Sequence, residues 1–322
     1  MAICIRGNLY SSWKEAEPHI AIYRQENQKF TEIIEPVADG DHHARYHLVL
    51  GYGDPWSHRV LLALALKQLN YTIPITIINP TPSPKGWAFL ESTIAAQGLA
   101  GCQYVYELYL SNNIQYTGRI TVPLLWDHQT QKVVNNESYD IMKMIDASFS
   151  KQTEAASTLF PEDQQQALAE ICDFIFDNIN NGVYKIGFAS TQKIYDRFIK
   201  ALFSALDELE ERLSTSRFLL GDQITAADIC LFASLIRFDT IYHPYLRCNL
   251  KRLQDYKNLW LYTKDIYHQP GISETVRPNI MMQTYYGLNY LNPTGVVPNP
   301  PAIDFGDGIE ILEYEHYSAP IC

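Results

Sequence analysis

The chain has 322 residues, enough for one large or two ordinary domains around a sizeable core. It is 47% hydrophobic and 12% aromatic with 22 tyrosines, and its formal net charge of -11 argues against nucleic acid or an anionic membrane as partner. No apolar run approaches the roughly 18 residues of a bilayer span. The start, "MAICIRGNLYSSWKEAE", lacks an apolar signal core, so a cytoplasmic location is expected. Cys4, Cys102, Cys172, Cys230, Cys248 and Cys322 are scattered with no CxxC pair, which suits a reducing compartment.

Residues 1–44 show no strong periodicity and read as an N-terminal arm. A mixed α/β section is expected over 45–150. Within it Tyr46 to Leu50 reads as a strand, Arg59 to Leu69 as a helix and Tyr71 to Asn79 as a β-rich run. "RITVPLLWDHQTQKVVNNES" reads as a hairpin whose polar turn is Asp127 to Gln131. "NESYDIMKMI" then opens a helix, with Asn135 or Asn136 as cap and Glu137 in the first turn.

From Pro161 the period becomes helical, within a helical section over 151–286. Ile194, Phe198, Leu202, Leu206, Leu209 and Leu213 recur at three- and four-residue steps, one face of an amphipathic helix. Ile229 to Phe238 is apolar nearly all round, as a helix inside a bundle should be. Thr225 and Asp228 before it have capping-box spacing, with Asp standing in for Glu. Residues 287–322 are proline-rich and acidic and read as a surface tail.

"GYGDPWSHR", Gly51 to Arg59, lies between that first strand and helix. As a dinucleotide loop it needs a third glycine where Trp56 stands, and Pro55 removes an amide a phosphate would use. That reading fails. The alternative places Pro55 at the first helical position with Asp54 as cap. A cysteine in Asp54's place would have its thiolate stabilised by the helix dipole.

"DPWSHR" resembles the CPWAHR-type active-site motif of the glutathionyl-hydroquinone reductases, the xi class of glutathione transferases. The resemblance continues through "RYHLVL", Gly86, Trp87 and Phe89, "YTGRITVPLLWD", "NNES", "NNGVYKIGFA", "RFLLGDQITAADICLFASLIRFD" and "NPTGVVP". It implies a fold of α/β plus all-α class, a thioredoxin-like glutathione-binding domain followed by a helical bundle, and a homodimer. Glutathione is the implied co-substrate or ligand, and the family uses a cysteine to strip it from glutathionyl-hydroquinones. Pro123 would be a cis-proline that leaves Val122 free to pair with the glutathione backbone. Glu137 and Ser138 would grip the γ-glutamyl end. Trp87 would lie against the tripeptide, and Arg119 would bind near its carboxylates. Tyr184, with Tyr285 or Tyr286, would line the acceptor pocket and hydrogen-bond a phenolic oxygen.

Asp54 departs from the family pattern. The family reaction needs a sulfur nucleophile and a mixed disulfide, which a carboxylate cannot supply. A negative charge beside the glutathione sulfur also disfavours its thiolate. Asp54 is left as a helix cap, a ligand contact, or a general acid or base, weakly basic unless burial opposes the helix dipole. Ser57, in place of the family's alanine, reads as solvated or as a contact for a ligand oxygen; His58 and Arg59 read as structural. "MMQTYYGLNY" lacks the charged residues the family shows around its tyrosine pair, which implies a more apolar acceptor. "DGDHHARYH" gathers Asp39, Asp41, His42, His43 and His47, but its spacing fits no zinc pattern and no metal is expected. Cys102 is a candidate substitute thiol that nothing places near Asp54.

The expectation is an enzyme of xi-class descent acting on a small aromatic, phenolic or quinone-like molecule without a thiol step of its own. The alternatives are a reductase working without its own cysteine, and a non-catalytic binder of glutathione or an aromatic ligand.

Overall fold

The computed structural model describes residues 2–34, 45–69, 73–90, 99, 101–149, 158–288, 291–301, 303 and 305–306. Two short strands, β1 (Ile3–Ile5) and β2 (Asn8–Tyr10), open the chain, and helices α1 (Trp13–Ala16) and α2 (Ile20–Glu26) follow. The α/β section holds β3 (Tyr46–Leu50), α3 (Pro55–Leu66), β4 (Ile75–Ile77), α4 (Val105–Asn112), β5 (Gly118–Arg119), β6 (Leu124–Asp127), β7 (Lys132–Asn135) and α5 (Ser138–Met144). The helical section holds α6 (Gln165–Ile175), α7 (Gly182–Gly187), α8 (Gln192–Arg212), α9 (Ala226–Leu235), α10 (Lys257–Tyr267) and α11 (Pro278–Tyr286).

β3 is buried at all five residues, as a strand covered on both faces must be. It lies centrally in a sheet of order β4-β3-β6-β7, parallel to β4 and antiparallel to β6. The expected hairpin is present: β6 pairs antiparallel with β7 through a turn whose amides at Gln129 and Thr130 face Asp127 Oδ1. One face of the sheet packs on α4. The other packs on α3 and continues without a break into the helical section. Together these layers are a thioredoxin-like domain and a helical bundle sharing one core.

Several expected boundaries move. The helix expected over Arg59 to Leu69 runs from Pro55 to Leu66, and Gln68 ends it in the left-handed region at φ 56°. Neither Asn135 nor Asn136 caps α5. Asn135 is the last residue of β7, and its side chain bonds the backbone of Glu137 and Glu32, which leaves Glu137 in the cap position. The N-terminal arm is partly built into the fold: β1 pairs with β2 and β5 in a second sheet, and Thr31 bridges Asn135. These pieces escaped the periodicity reading because strands of three residues are too short to show a period. Tyr71 and Thr72 of the β-rich run lie outside the described residues. So do Asp39, Asp41, His42 and His43; His47 sits in β3, bonded to Thr76 and His128. In the tail, Phe305 stacks on Tyr267 at 4.6 Å and holds the described part against α10.

α8 buries Leu202, Leu206 and Leu209 as its spacing predicts, while Ile194 is exposed near its start. α9 is buried at every residue, and its capping box is formed. Asp228 accepts from Thr225 N and Oγ1, Leu219 N and Tyr262 Oη, tying the start of α9 to a loop and to α10. Replacing it by Ala would leave those buried donors unpaired. Asp228→Ala should cost roughly 2–4 kcal/mol in urea unfolding, against about 1 kcal/mol for an isolated cap.

Candidate active site

The turn Gly51–Gly53 leads from β3 into α3, and its glycines serve packing. A Cβ on Gly53 would lie 1.9 Å from Thr284 Oγ1, so only glycine lets α11 approach this closely. Asp54 follows in extended geometry and accepts a 2.6 Å hydrogen bond from Ser57 N, with Pro55 in the first helical turn. The expected cap is present.

Burial pushes the Asp54 carboxyl up to about 6, against the opposing pull of the Ser57 amide and hydroxyl and of the Arg237 and Arg59 guanidinium groups. The carboxylate keeps some contact with solvent while protein surrounds most of it. Desolvation therefore outweighs the helix N-terminus, and Asp54 can exchange a proton near neutral pH. Ser57 is fully buried, which corrects the solvated reading. Its hydroxyl lies beside the carboxylate without reaching hydrogen-bond geometry, and it has no partner among the described residues.

Beneath the turn lies Arg237, fully buried, just past the end of α9. It donates to Gly53 O at 3.4 Å, Tyr52 O at 3.3 Å and Ala233 O at 2.7 Å, and its Nη1 lies 2.8 Å from His58 Nδ1. A guanidinium only donates, so His58 Nδ1 must accept. The remaining His58 proton therefore sits on Nε2 and faces Thr275 Oγ1 at 2.9 Å, and that hydroxyl donates to Ile272 O. Burial and the Arg237 charge hold His58 well below the usual histidine range. Arg59 stacks over Trp56 at 4.4 Å, donates to Asn180 Oδ1 at 2.5 Å and reaches Ser138 Oγ at 3.4 Å. Asn180 in turn donates to Cys230 O and Ser234 Oγ on α9. The sequence reading missed Arg237 and Asn180 as site residues. Asn180 lies in a wide π-helical turn, Phe176–Asn180, of a kind found often at functional sites.

The residues expected around glutathione are partly brought together. The Val122–Pro123 peptide bond is cis, and both residues directly precede β6, the neighbour of β3. Ser138 is buried and tied through Arg59 to the same helix as Asp54. Glu137 is half exposed and paired with Lys29 of the N-terminal segment at 3.4 Å. Trp87 is half-buried against the face of the sheet that carries α4. Arg119 stands apart on β5, exposed, with its guanidinium 5.4 Å over Trp13.

Of the expected acceptor tyrosines, two meet. Tyr184 Oη lies 2.6 Å from Tyr285 Oη, and Tyr242 Oη completes the row at 3.1 Å from Tyr285. Tyr286 instead packs against Tyr245, ring centroids 4.4 Å apart and tilted by 48°, because consecutive residues of a helix face different sides. Tyr242 was missed, for it sits in another π-helical turn, Phe238–Tyr242, whose wider spacing breaks the periodic pattern. Burial raises all three phenols above their ordinary value, and the Asp54 charge adds to this at Tyr184 and Tyr242. The three hydroxyls are thus neutral and bonded in a row. Cys102 is no substitute thiol, since burial and Glu107 push it up to about 11.

Two family models match the chain, "Glutathione S-transferase, N-terminal domain" over residues 55–148 and "Glutathione S-transferase, C-terminal domain" over residues 192–265. Fold and matches together define a glutathione transferase. The chain is 38% identical to glutathionyl-hydroquinone reductase YqjG of Escherichia coli over 82% of its own length and 81% of that protein's. Its structure superposes on the xi-class transferase of Natrialba magadii with a TM-score of 0.87 at 34% identity, covering 95% of this chain and 96% of that one. The glutathione-bound structure of YqjG gives a TM-score of 0.79 at 35% identity, covering 88% and 95%. The chain belongs to the xi-class glutathione transferases, the family of the glutathionyl-hydroquinone reductases.

The raised Asp54 carboxyl has a consequence for stability. Between the unfolded value of 3.8 and the folded value of about 6, folding takes up a proton. The contribution of Asp54 is therefore fully present below about pH 4 and is lost as pH rises through the folded value. Asn keeps the cap without the charge. In melts from pH 3.5 to 8.5, Asp54→Asn should gain on the unmodified protein as pH rises through this window, by up to about 3 kcal/mol, and then level off. Tyr184 and Tyr242, which feel the Asp54 charge, are raised above their ordinary value and stay protonated across this range, so the difference between the two proteins reports Asp54.

Proposed function

We propose that the protein is an enzyme of xi-class descent that binds glutathione or a glutathione conjugate. It acts on an aromatic, phenolic or quinone-like small molecule without a nucleophilic thiol of its own. The observation that carries this reading is Asp54, which caps α3 at the position where the family resemblance puts the attacking cysteine. A carboxylate there forms no mixed disulfide. Titrating at about 6, it serves instead as a general acid or base.

Several features support the glutathione half of the reading. Val122 precedes a cis proline, buried Ser138 is held by Arg59, and Glu137 and Trp87 are half exposed. Relatives named as glutathionyl-hydroquinone reductases and a neighbour solved with glutathione bound support it as well. Arg119 would have to leave Trp13 to reach a glutathione carboxylate. The acceptor half rests on the phenols of Tyr184, Tyr285 and Tyr242, neutral donors suited to quinone or phenol oxygens. Tyr286 is not part of that row.

The test mixes glutathionyl-menadione hydroquinone with excess glutathione and follows release of the quinol, for the unmodified protein and for Asp54→Cys. The variant should exceed the unmodified protein by about a hundredfold or more, as expected when a nucleophile is restored. Turnover by the unmodified protein would instead establish a reductase that lets free glutathione attack the conjugate. Silence from both, with glutathione still bound in calorimetry, would favour a non-catalytic binding protein.

A further inference from the structure

Arg237 is more than a latch between domains. Its guanidinium is fully buried, and its hydrogen bonds run to three carbonyls and to the His58 ring nitrogen, all of them uncharged. Among the described residues no ion pair joins it to a carboxylate. A buried cation without such a partner is costly and persists only where something offsets it. Asp239, two residues on, is no candidate, because its carboxylate accepts from Leu253 N and Gln254 N. The negative group that Arg237 acts on is Asp54.

The two meet at one short turn. Arg237 holds the carbonyls of Tyr52 and Gly53, the residues that immediately precede Asp54. His58, one turn into α3, cannot share its charge, because Nδ1 is already accepting from the guanidinium. The positive charge therefore stays on Arg237. Facing Asp54 are Ser57 and Arg59 from its own helix and Arg237 from the bundle, and its charge reaches the phenols of Tyr184 and Tyr242. Facing Arg237 are His58, Asp54, Tyr242 and Tyr285.

We propose that Arg237 is a positioning residue for this site: a guanidinium supplied by the helical domain that clamps the Tyr52–Gly53 turn and sets the charge state of whatever group stands at position 54. It does so through a fixed geometry and a charge placed where water cannot screen it. The inference rests on reading residue 54 as the reacting position, but its test requires no substrate.

The experiment follows the Asp54 carboxyl directly. Protein carrying carboxyl-13C aspartate is titrated by NMR without glutathione or any aromatic ligand, and the Asp54 signal is assigned by its loss in Asp54→Asn. The unmodified protein should show a midpoint of about 6. Arg237→Lys, which keeps the charge, should stay within about half a unit of that midpoint, while Arg237→Gln should move it up by about one unit, tenfold in ionisation, or more. A folded Arg237→Gln protein with an unmoved midpoint overturns the proposal, because a purely structural latch predicts that result. If Arg237→Gln does not melt cooperatively, Arg237→Met, which removes the buried charge together with its desolvation cost, is titrated in its place. A rise of about one unit or more supports the charge role, and an unmoved midpoint overturns it. Failure of the glutathione assay would leave this result standing, and the reverse holds too.

Discussion

The burial of the first turn of α3 between the sheet and the helical bundle is the constraint on which the rest of the site depends. Pro55, Ser57, His58 and Arg59 are all buried there, although three of these four side chains are polar. Buried polar groups are as a rule hydrogen-bonded, and His58 and Arg59 find partners in the helical section. Thr275 takes His58, Asn180 takes Arg59, and Arg237 reaches the turn before the helix. The Asp54 end of the thioredoxin-like domain is thus held by the bundle as much as by its own sheet. Gly53 belongs to the same constraint, since α11 fills the space a side chain would need.

That burial also sets the chemistry. Desolvation penalises whichever form carries charge, so it raises carboxyl and phenol groups and lowers histidine. Asp54, the three phenols and His58 all shift in those directions. The result is a site rich in neutral hydroxyls, with Arg237 and Arg59 the cations acting on Asp54 among the described residues. Such a site matches ligand oxygens that gain negative charge during a reaction.

Local rules were legible wherever the signal lay within a few residues. The cap at Asp54, proline at the first helical position, the capping box of α9 and the β6–β7 hairpin follow from hydrogen bonds that span two or three positions. Where two local rules competed, the outcome was not legible. Asn135 could cap a helix or end a strand, and pairing with Leu125 of β6 decided for the strand. The N-terminal strands were missed for a related reason, because β1 pairs with β5, more than a hundred residues away, and β2 joins that sheet only through β1.

By itself, then, the sequence determined the family, the order of the two domains, the elements with strong periodicity and the presence of Asp54 ahead of Pro55 at the start of a helix. All of these follow from contacts between near neighbours or from motifs read directly. Only the tertiary structure decided which tyrosines meet, that Tyr242 joins Tyr285 while Tyr286 turns away, and that Arg237 bonds the turn before Asp54. It also decided the acidity of Asp54, where the helix terminus pulls one way and burial the other. The physical reason is shared by all of these. Desolvation and long-range hydrogen bonds depend on what packs around a group, and for residue 54 that surrounding comes from residues up to 230 positions away, such as Thr284 on α11.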